Sequence, residues 1–139
     1  MVLFVKSAEE LSDEDFIKAF EGLNLDIKLF NHAQHIRLGW IYLKTEPNFT
    51  TAMDRLRSSI LSFASYHGAT GKYHETITKF YLTIIEKFMV DGENWLEFQC
   101  HNELLFQNSR PMIFTYYSES LISTLEARSE WVEPDRLKL

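Results

Sequence analysis

Residues 31–44 read NHAQHIRLGWIYLK, and they predict a helix with apolar side chains around most of its circumference. Asn31 is a residue type that caps helix N-termini, and Pro47 stops any continuation beyond Lys44. A helix that is apolar on nearly every side is buried by its neighbours. We therefore predict that residues 31–44 form the central helix of a helical protein.

The length and composition favour one helical domain. The chain has 139 residues, the size of one ordinary domain, and 45% of them are hydrophobic, which is enough to build a core. The chain has only five glycines and three prolines, the residues that most often interrupt regular structure, which favours long helices over many short strands. We predict an all-α fold: a single-domain bundle over residues 1–139, with about five to six helices and up-down neighbours.

Caps and apolar stripes predict the other helices. Ser12 can cap the first one, acidic residues fill its first turn, and Gly22 ends it. In the later ones apolar residues recur at three- and four-residue steps, the periodicity of a helix with one buried face. Residues 131–139 contain Pro134 and are predicted to be irregular. The predicted helices span about residues 13–21, 31–44, 51–67, 73–90, 94–106 and 111–125.

Charge and cysteine content limit the function classes. The formal net charge is -6 and no basic stripe is visible, so nucleic-acid binding is not expected. Cys100 is the single cysteine, which fits a reducing compartment. No apolar run approaches the ~20 residues of a membrane helix, and the opening MVLFVKSAEE lacks the features of a signal peptide. We expect a cytoplasmic protein with no nucleic-acid or membrane partner.

Four of the five histidines are predicted to meet at one end of the bundle. Short connections make consecutive helices antiparallel, so the start of the second helix, the end of the third and the start of the fourth share one end. His67 and His74 continue the apolar stripes of their helices, so they should face inward. His35 lies three residues after His32, close enough on one helix face to share a ligand.

Imidazoles that converge from separate helices are one way in which bundles build metal sites. The expected cofactor is a transition metal, Zn, Fe, Mn or Ni, and a small molecule is the other expected ligand. Two or three histidines plus a carboxylate would leave an open coordination position, which would suit an enzyme with histidines as ligands or acid–base groups. The predicted metal ligands are His32, His35 and His74, and the predicted ligand-binding residues are His67, Asn31 and Trp40.

Several interpretations of these histidines stay open: a metal site, a metal-free polar or proton-transfer pocket, and purely structural histidines. A histidine at a helix end is more often a cap or a satisfied core group than a ligand, and His67 lies at such an end. The alternative function is a non-enzymatic interaction or self-associating module. Its aromatic-rich helices would bury a face against a partner or a second copy, which would make a homodimer.

Other polar residues are weaker candidates. Cys100 and His101 are neighbours that point in different directions on a helix, so a nucleophilic dyad is not expected. Arg37, Arg55 and Arg57 could hold an anionic ligand, but they are interpreted as surface charges, the commoner role. The chain has no P-loop, no GxGxxG, no CxxC and no HExxH motif, so these nucleotide, redox and zinc-protease signatures are absent.

Three segments of the chain read as motifs: FNHAQH at 30–35 running into LGWIYL at 38–43, KYHETIT at 72–78 and ARSEWVEPD at 127–135. From about Phe30 onward, the chain resembles a family of small, mostly bacterial, uncharacterised helical proteins that share FNHxxH…W, KYHETIT and ARxxWVEPD segments. The family has no established activity, so the resemblance implies no catalytic roles. It implies that His32, His35 and His74 belong to recurring motifs, and that residues 131–135 are an ordered part of the domain.

Overall fold

The computed structural model describes residues 5–139, and all regular secondary structure in that range is helical. The predicted all-α fold is confirmed. Met1–Phe4, which open the predicted domain, lie outside the described residues. The chain divides into two compact units, Met1–Tyr73 and His74–Leu139, called here the first and second unit. The prediction of one domain over residues 1–139 stays a prediction.

In the first unit, the described residues 5–73 form three α-helices and three turns of 3-10 helix. Ser12 and Asn31 cap the first two α-helices, as predicted, by accepting the backbone N–H three residues on. Asn48 does the same for the third and donates its own N–H to Thr51 Oγ1 at 3.4 Å, so this helix begins at Phe49, earlier than predicted. The helices are α1 (Asp13–Glu21), α2 (His32–Thr45) and α3 (Phe49–Tyr66).

The burial predicted for α2 is confirmed within the first unit. This helix packs against α3, which also packs against α1. Every residue from Ile36 to Tyr42 is buried, so no side of α2 is left to water along these two turns. Removing this apolar surface from water is the main stabilising contribution to the unit. Its largest core side chains are Phe16, Phe20, Leu25, Ile36, Leu38, Trp40, Tyr42, Leu56, Ile60 and Phe63.

Arg37 is buried, and its interpretation as a surface charge is wrong. It is only 3% exposed. Its guanidinium donates to the carbonyl oxygens of Ala8 (2.9 Å) and Leu11 (2.7 Å). It also pairs with Asp13 Oδ1 at 3.0 Å and lies over the ring of Phe16. These hydrogen bonds offset the cost of burying a charge, and they hold the segment before α1 against α2.

Arg55 forms a bidentate pair with Glu21, at 2.9 and 3.1 Å. The phenol of Tyr42 donates to the same carboxylate at 2.6 Å. Burial raises the pKa of Glu21, but the hydrogen bonds from Arg55 and Tyr42 outweigh it and leave the pKa below its ordinary value. Arg57 pairs with Asp54 at 3.0 Å on the surface. Arg55 and Arg57 are therefore already neutralised by carboxylates of their own unit.

The second unit is organised around its first helix, α4, which packs against α6 and α8. His74 has an extended backbone (φ -136, ψ 111) and caps this helix, which is shorter than the predicted span of 73–90. α5 ends at His101 rather than 106, and a 3-10 turn follows it. The helices are α4 (Glu75–Phe88), α5 (Trp95–His101), α6 (Ile113–Tyr116), α7 (Glu119–Ile122) and α8 (Leu125–Ser129).

The long helix predicted over residues 111–125 is wrong, because this stretch breaks into single turns. Tyr117 adopts an extended backbone (φ -123, ψ 142) between α6 and α7. Ser118 and Thr124 then each accept the backbone N–H three residues on, which starts a new helix each time. Hydroxyl side chains offer the backbone local hydrogen bonds that compete with a continuous helix.

The tail after α8 is irregular, as predicted, and it is hydrogen-bonded to the rest of the second unit. The hydroxyl of Thr76, on α4, lies 2.6 Å from the carbonyl oxygen of Ala127 and accepts the N–H of Val132 at 3.3 Å. The phenol of Tyr117 donates to the Val132 carbonyl at 2.6 Å. The Asp135 carboxylate accepts two bonds from the residue that caps α7, at 2.8 and 2.6 Å. These bonds join the tail to α4 and to the start of α7.

Candidate functional site

Three of the predicted histidines lie in the first unit, and two of them contact phenylalanine rings. His32 is the first residue of α2, His35 follows one turn later, and His67 is the C-cap of α3. The ring of His35 lies 3.9 Å from that of Phe30, and the ring of His67 lies 4.5 Å from that of Phe63. The two phenylalanine rings are 5.2 Å apart, edge to face. We call these five residues the histidine–phenylalanine cluster.

A backbone carbonyl fixes the proton on the ring of His35. Nδ1 lies 3.0 Å from the carbonyl oxygen of Asn31, which can only accept, so Nδ1 carries the proton and Nε2 keeps its lone pair. Desolvation lowers the pKa of His35, and so does the neighbouring His32, whereas the bond to Asn31 raises it. Desolvation has the largest effect, so the pKa lies below its ordinary value. The residue is partly exposed to water, which limits that desolvation. Because its pKa lies below the ordinary value of 6.5, His35 is a neutral imidazole at pH 7.

The ring of His67 contains a polar atom that the fold does not satisfy. Its Nε2 is buried and has no hydrogen-bond partner among residues 5–139. Buried polar atoms in native proteins are nearly always paired, with protein, water or a ligand. The position at the C-terminal end of α3 favours a cation, because the helix dipole is negative there. His67 Nε2 thus marks a point where a ligand would complete the hydrogen bonding of the first unit.

The predicted ligand-binding residues Asn31 and Trp40 both have structural roles. Asn31 Oδ1 accepts the N–H of Gln34 at 3.2 Å and caps α2, while its carbonyl orients the ring of His35. Trp40 is 1% exposed, and Lys44 Nζ lies 4.1 Å from the centre of its ring. Contact of either residue with a ligand stays a prediction.

His74 belongs to the second unit, where both of its ring nitrogens are hydrogen-bonded. Nε2 lies 2.8 Å from the carbonyl oxygen of Ile122 and therefore carries the proton, and Nδ1 accepts the N–H of Ile77 at 3.2 Å. Burial lowers the pKa of His74, the bond to Ile122 raises it, and the charge of Arg128 lowers it, so the pKa lies below its ordinary value. Metal binding by His74 would replace one of these hydrogen bonds.

The metal and the four-histidine arrangement both stay predictions. Among the described residues, no three or more His, Cys, Asp and Glu side chains form a group that could hold a metal ion. The four-histidine arrangement combines residues of both units. A metal bound by the histidine–phenylalanine cluster would take its remaining ligands from water or from a bound molecule.

The structure reveals a second histidine arrangement that the sequence analysis missed. His101, the last residue of α5, places Nδ1 2.6 Å from Oε2 of Glu93, just before the cap of the same helix. The carboxylate is buried, with its side chain 4% exposed, and the imidazole is 66% exposed. No apolar periodicity links residues eight apart, so the sequence offers no signal for this contact beyond an acid placed before the cap Asn94.

The protein is thus an all-α chain in which ring packing and one hydrogen bond place the histidines of the first unit, and hydrogen bonds orient those of the second. No family model, curated protein or solved structure matches it. In residues 5–139, no helix combines the length and the apolar character that crossing a membrane requires. The resemblance to an uncharacterised helical family stays a prediction.

Proposed function

We propose that the first unit binds a transition-metal ion through the histidine–phenylalanine cluster, with His35 and His67 as imidazole ligands and His32 beside them. The observation that carries the proposal is a pair of ring nitrogens. Nε2 of His35 keeps its lone pair because Nδ1 donates to the Asn31 carbonyl, and Nε2 of His67 is buried without a partner in the described chain. The candidate metal ions for this site are those of Zn, Fe, Mn and Ni.

The chemistry of imidazole supports this assignment. A histidine that binds a metal almost always donates its other N–H to a carbonyl or carboxylate, which orients the ring, and His35 does so to Asn31. A neutral imidazole can bind a metal without first losing a proton, so the lowered pKa of His35 favours binding at pH 7. The rings of Phe30 and Phe63 give the site an apolar wall.

A site with two or three histidines would keep coordination positions for water or a substrate. That arrangement suits an enzyme in which the metal activates water or polarises a bound carbonyl. A small ligand that hydrogen-bonds the same two nitrogens is the metal-free version of this proposal. We place the protein in the cytoplasm, because a chain with one cysteine fits a reducing compartment.

Paramagnetic titration of the full chain, with 13C-labelled histidine rings, tests the proposal. Ni²⁺ should broaden the NMR signals of His35 and His67 first, and should leave the signal of His101 sharp. His35→Ala should weaken Zn²⁺ binding by roughly tenfold or more in calorimetry, because it removes a direct ligand. Binding should also weaken as the pH falls, since protonated imidazoles do not bind metals.

The matched control is His101→Ala, which removes an exposed histidine of the second unit. It should leave the Zn²⁺ affinity of the first unit unchanged, and circular dichroism should show that both alanine variants stay folded. Signals that stay sharp at millimolar metal, or that broaden in the second unit alone, would rule the proposal out. Broadening of His74 together with His35 would instead support the four-histidine prediction.

A self-associating module is the second candidate, favoured by exposed apolar side chains in the second unit. Large apolar patches on a protein surface often mark interaction sites. If a second copy covers them, Leu96→Glu should shift the sedimentation of concentrated protein towards the monomer, and Leu125→Glu is the control. Wild-type protein that stays monomeric at every concentration would exclude this candidate. From the last residue of α4 to the 3-10 turn after α5, the exposed large apolar side chains are Phe88 (42%), Val90 (65%), Leu96 (67%) and Leu104 (65%).

A further inference from the structure

The carboxylate of Glu93 is fully engaged inside the second unit. Oε2 accepts from Nδ1 of His101 at 2.6 Å, and Oε1 accepts the backbone N–H of Val90 at 3.3 Å. The side chain is 4% exposed. A buried carboxylate is costly unless it is paired and hydrogen-bonded, and here both conditions are met.

This bond orients the imidazole of His101. Because a carboxylate oxygen accepts, Nδ1 carries the proton, and the neutral ring keeps a lone pair on Nε2. Nε2 is on the opposite edge of a ring that is 66% exposed, so it lies on the accessible side. A buried carboxylate that holds Nδ1–H while Nε2 stays accessible is the arrangement that orients a histidine as a general base.

The oriented imidazole lies at the edge of a groove of about 430 Å³. All the residues that line this groove belong to the second unit. The groove has an apolar wall, so a ligand with a hydrocarbon portion would bury apolar surface there, close to the histidine. The apolar lining residues are Phe88, Leu104, Leu105 and Met112.

We propose that Glu93 and His101 form a general-base dyad that hydrolyses esters whose apolar acyl group binds in this groove. Nε2 of His101 takes a proton from water, and the water oxygen forms a bond to the ester carbonyl carbon. The tetrahedral intermediate then collapses, its bond to the alcohol oxygen breaks, and the imidazolium returns the proton to that oxygen. The products are a carboxylic acid and an alcohol, and water is the other reactant.

The two residues have different roles in this dyad. His101 is the catalytic residue, since its Nε2 exchanges the proton with water and the leaving group. Glu93 is a positioning residue, because it fixes the tautomer and the direction of the ring without touching the substrate. A histidine that only neutralised a buried acid would have neither an acyl-chain preference nor a rate above that of free imidazole.

Hydrolysis of p-nitrophenyl esters by the full chain tests the dyad. The assay contains a chelator, so that a metal bound by the first unit does not contribute. The octanoate should be cleaved with a kcat/KM at least roughly tenfold above that of the acetate, because its chain buries apolar surface in the groove. His101→Ala should reduce the rate to background, and Glu93→Gln should reduce it roughly tenfold or more.

The matched control for Glu93→Gln is Glu86→Gln, an exposed acid on α4, which should leave the rate unchanged. NMR of 15N-labelled histidine gives a readout that does not depend on activity: the ring of His101 should carry its proton on Nδ1 in the wild type and lose this preference in Glu93→Gln. A proton on Nε2 in the wild type would overturn the proposal. So would equal rates for the two esters, or a wild-type rate no higher than that of the same concentration of imidazole.

Discussion

The two units hold their histidines in different ways. In the first unit, His35 and His67 pack against phenylalanine rings, His35 also donates to the carbonyl of Asn31, and the described chain leaves Nε2 of His67 unpaired. In the second unit, hydrogen bonds hold the rings: His74 through both nitrogens and His101 through Glu93. A ring placed by packing keeps a nitrogen for a ligand, whereas a ring with two hydrogen bonds must lose one to bind anything. Candidate histidines are therefore distinguished by which nitrogens the fold already uses.

The largest change in unfolding free energy is expected from substituting Arg37, which tests whether packing alone stabilises the first unit. Arg37→Ala should lower the free energy of unfolding by about 3 kcal/mol, because the buried carbonyl of Ala8 and the half-buried carbonyl of Leu11 lose a charged donor. Urea unfolding measures the loss. Arg57→Ala is the control, since its pair with Asp54 is exposed and should contribute under about 1 kcal/mol. Equal losses in the two variants would mean that packing, not this hydrogen-bonded charge, holds the N-terminal segment.

Thr76 gives the corresponding test for the second unit. Thr76→Val keeps the shape of the side chain and removes the hydroxyl that contacts Ala127 and Val132. We expect a loss of about 2 kcal/mol in unfolding free energy, and faster hydrogen exchange in the tail. Thr83→Val should be close to neutral, because its hydroxyl bonds only the carbonyl of Lys79 within the same helix. If both variants are neutral, the second unit does not depend on these hydrogen bonds.

A substitution of His74 should produce the smallest change in unfolding free energy, and that change should depend on pH. The pKa of His74 in the folded chain lies below its ordinary value of 6.5. As the pH falls, the unfolded chain therefore binds the proton first, so stability is full above pH 6.5 and is lost as the pH falls through the folded value. A protonated ring would also lose the lone pair that caps α4.

Asn is a good helix cap, so His74→Asn should cost under about 1 kcal/mol at neutral pH and should unfold with a weaker dependence on pH. Urea unfolding of both proteins between pH 7 and pH 4.5 measures this difference, and the other histidines cancel in the comparison. Identical pH dependence in the two proteins would mean that His74 titrates alike in the folded and unfolded chains.

The first two α-helices could be predicted because their signals are local. Ser12 and Asn31 are caps, Gly22 follows the end of α1, and the apolar residues of α2 repeat around its axis. Each of these signals depends on neighbours within a few residues, which a sequence displays directly. The histidines of the first unit could be proposed for the same reason, since His35 is one turn from His32.

The second unit was harder to predict because its structure depends on contacts between distant residues. Ser118 and Thr124 can cap a helix or lie inside one, and their identity alone does not decide between the two. His74 continues an apolar stripe if it is helical, but its extended backbone makes it a cap instead. The bond between Glu93 and His101 spans a whole helix, a distance for which no sequence rule exists.

The bonds that fix the tail set limits on how the protein can be engineered. A chain shortened after Glu130 would lose Val132, which donates its N–H to Thr76 and accepts the phenol of Tyr117 at its carbonyl. A fluorescent protein or purification tag should therefore leave the residues up to Asp135 in place, because Asp135 accepts a hydrogen bond from Ser118. Replacing residues 131–139 would instead leave the phenol of Tyr117 without its bond to Val132, while Thr76 would keep its bond to the carbonyl of Ala127.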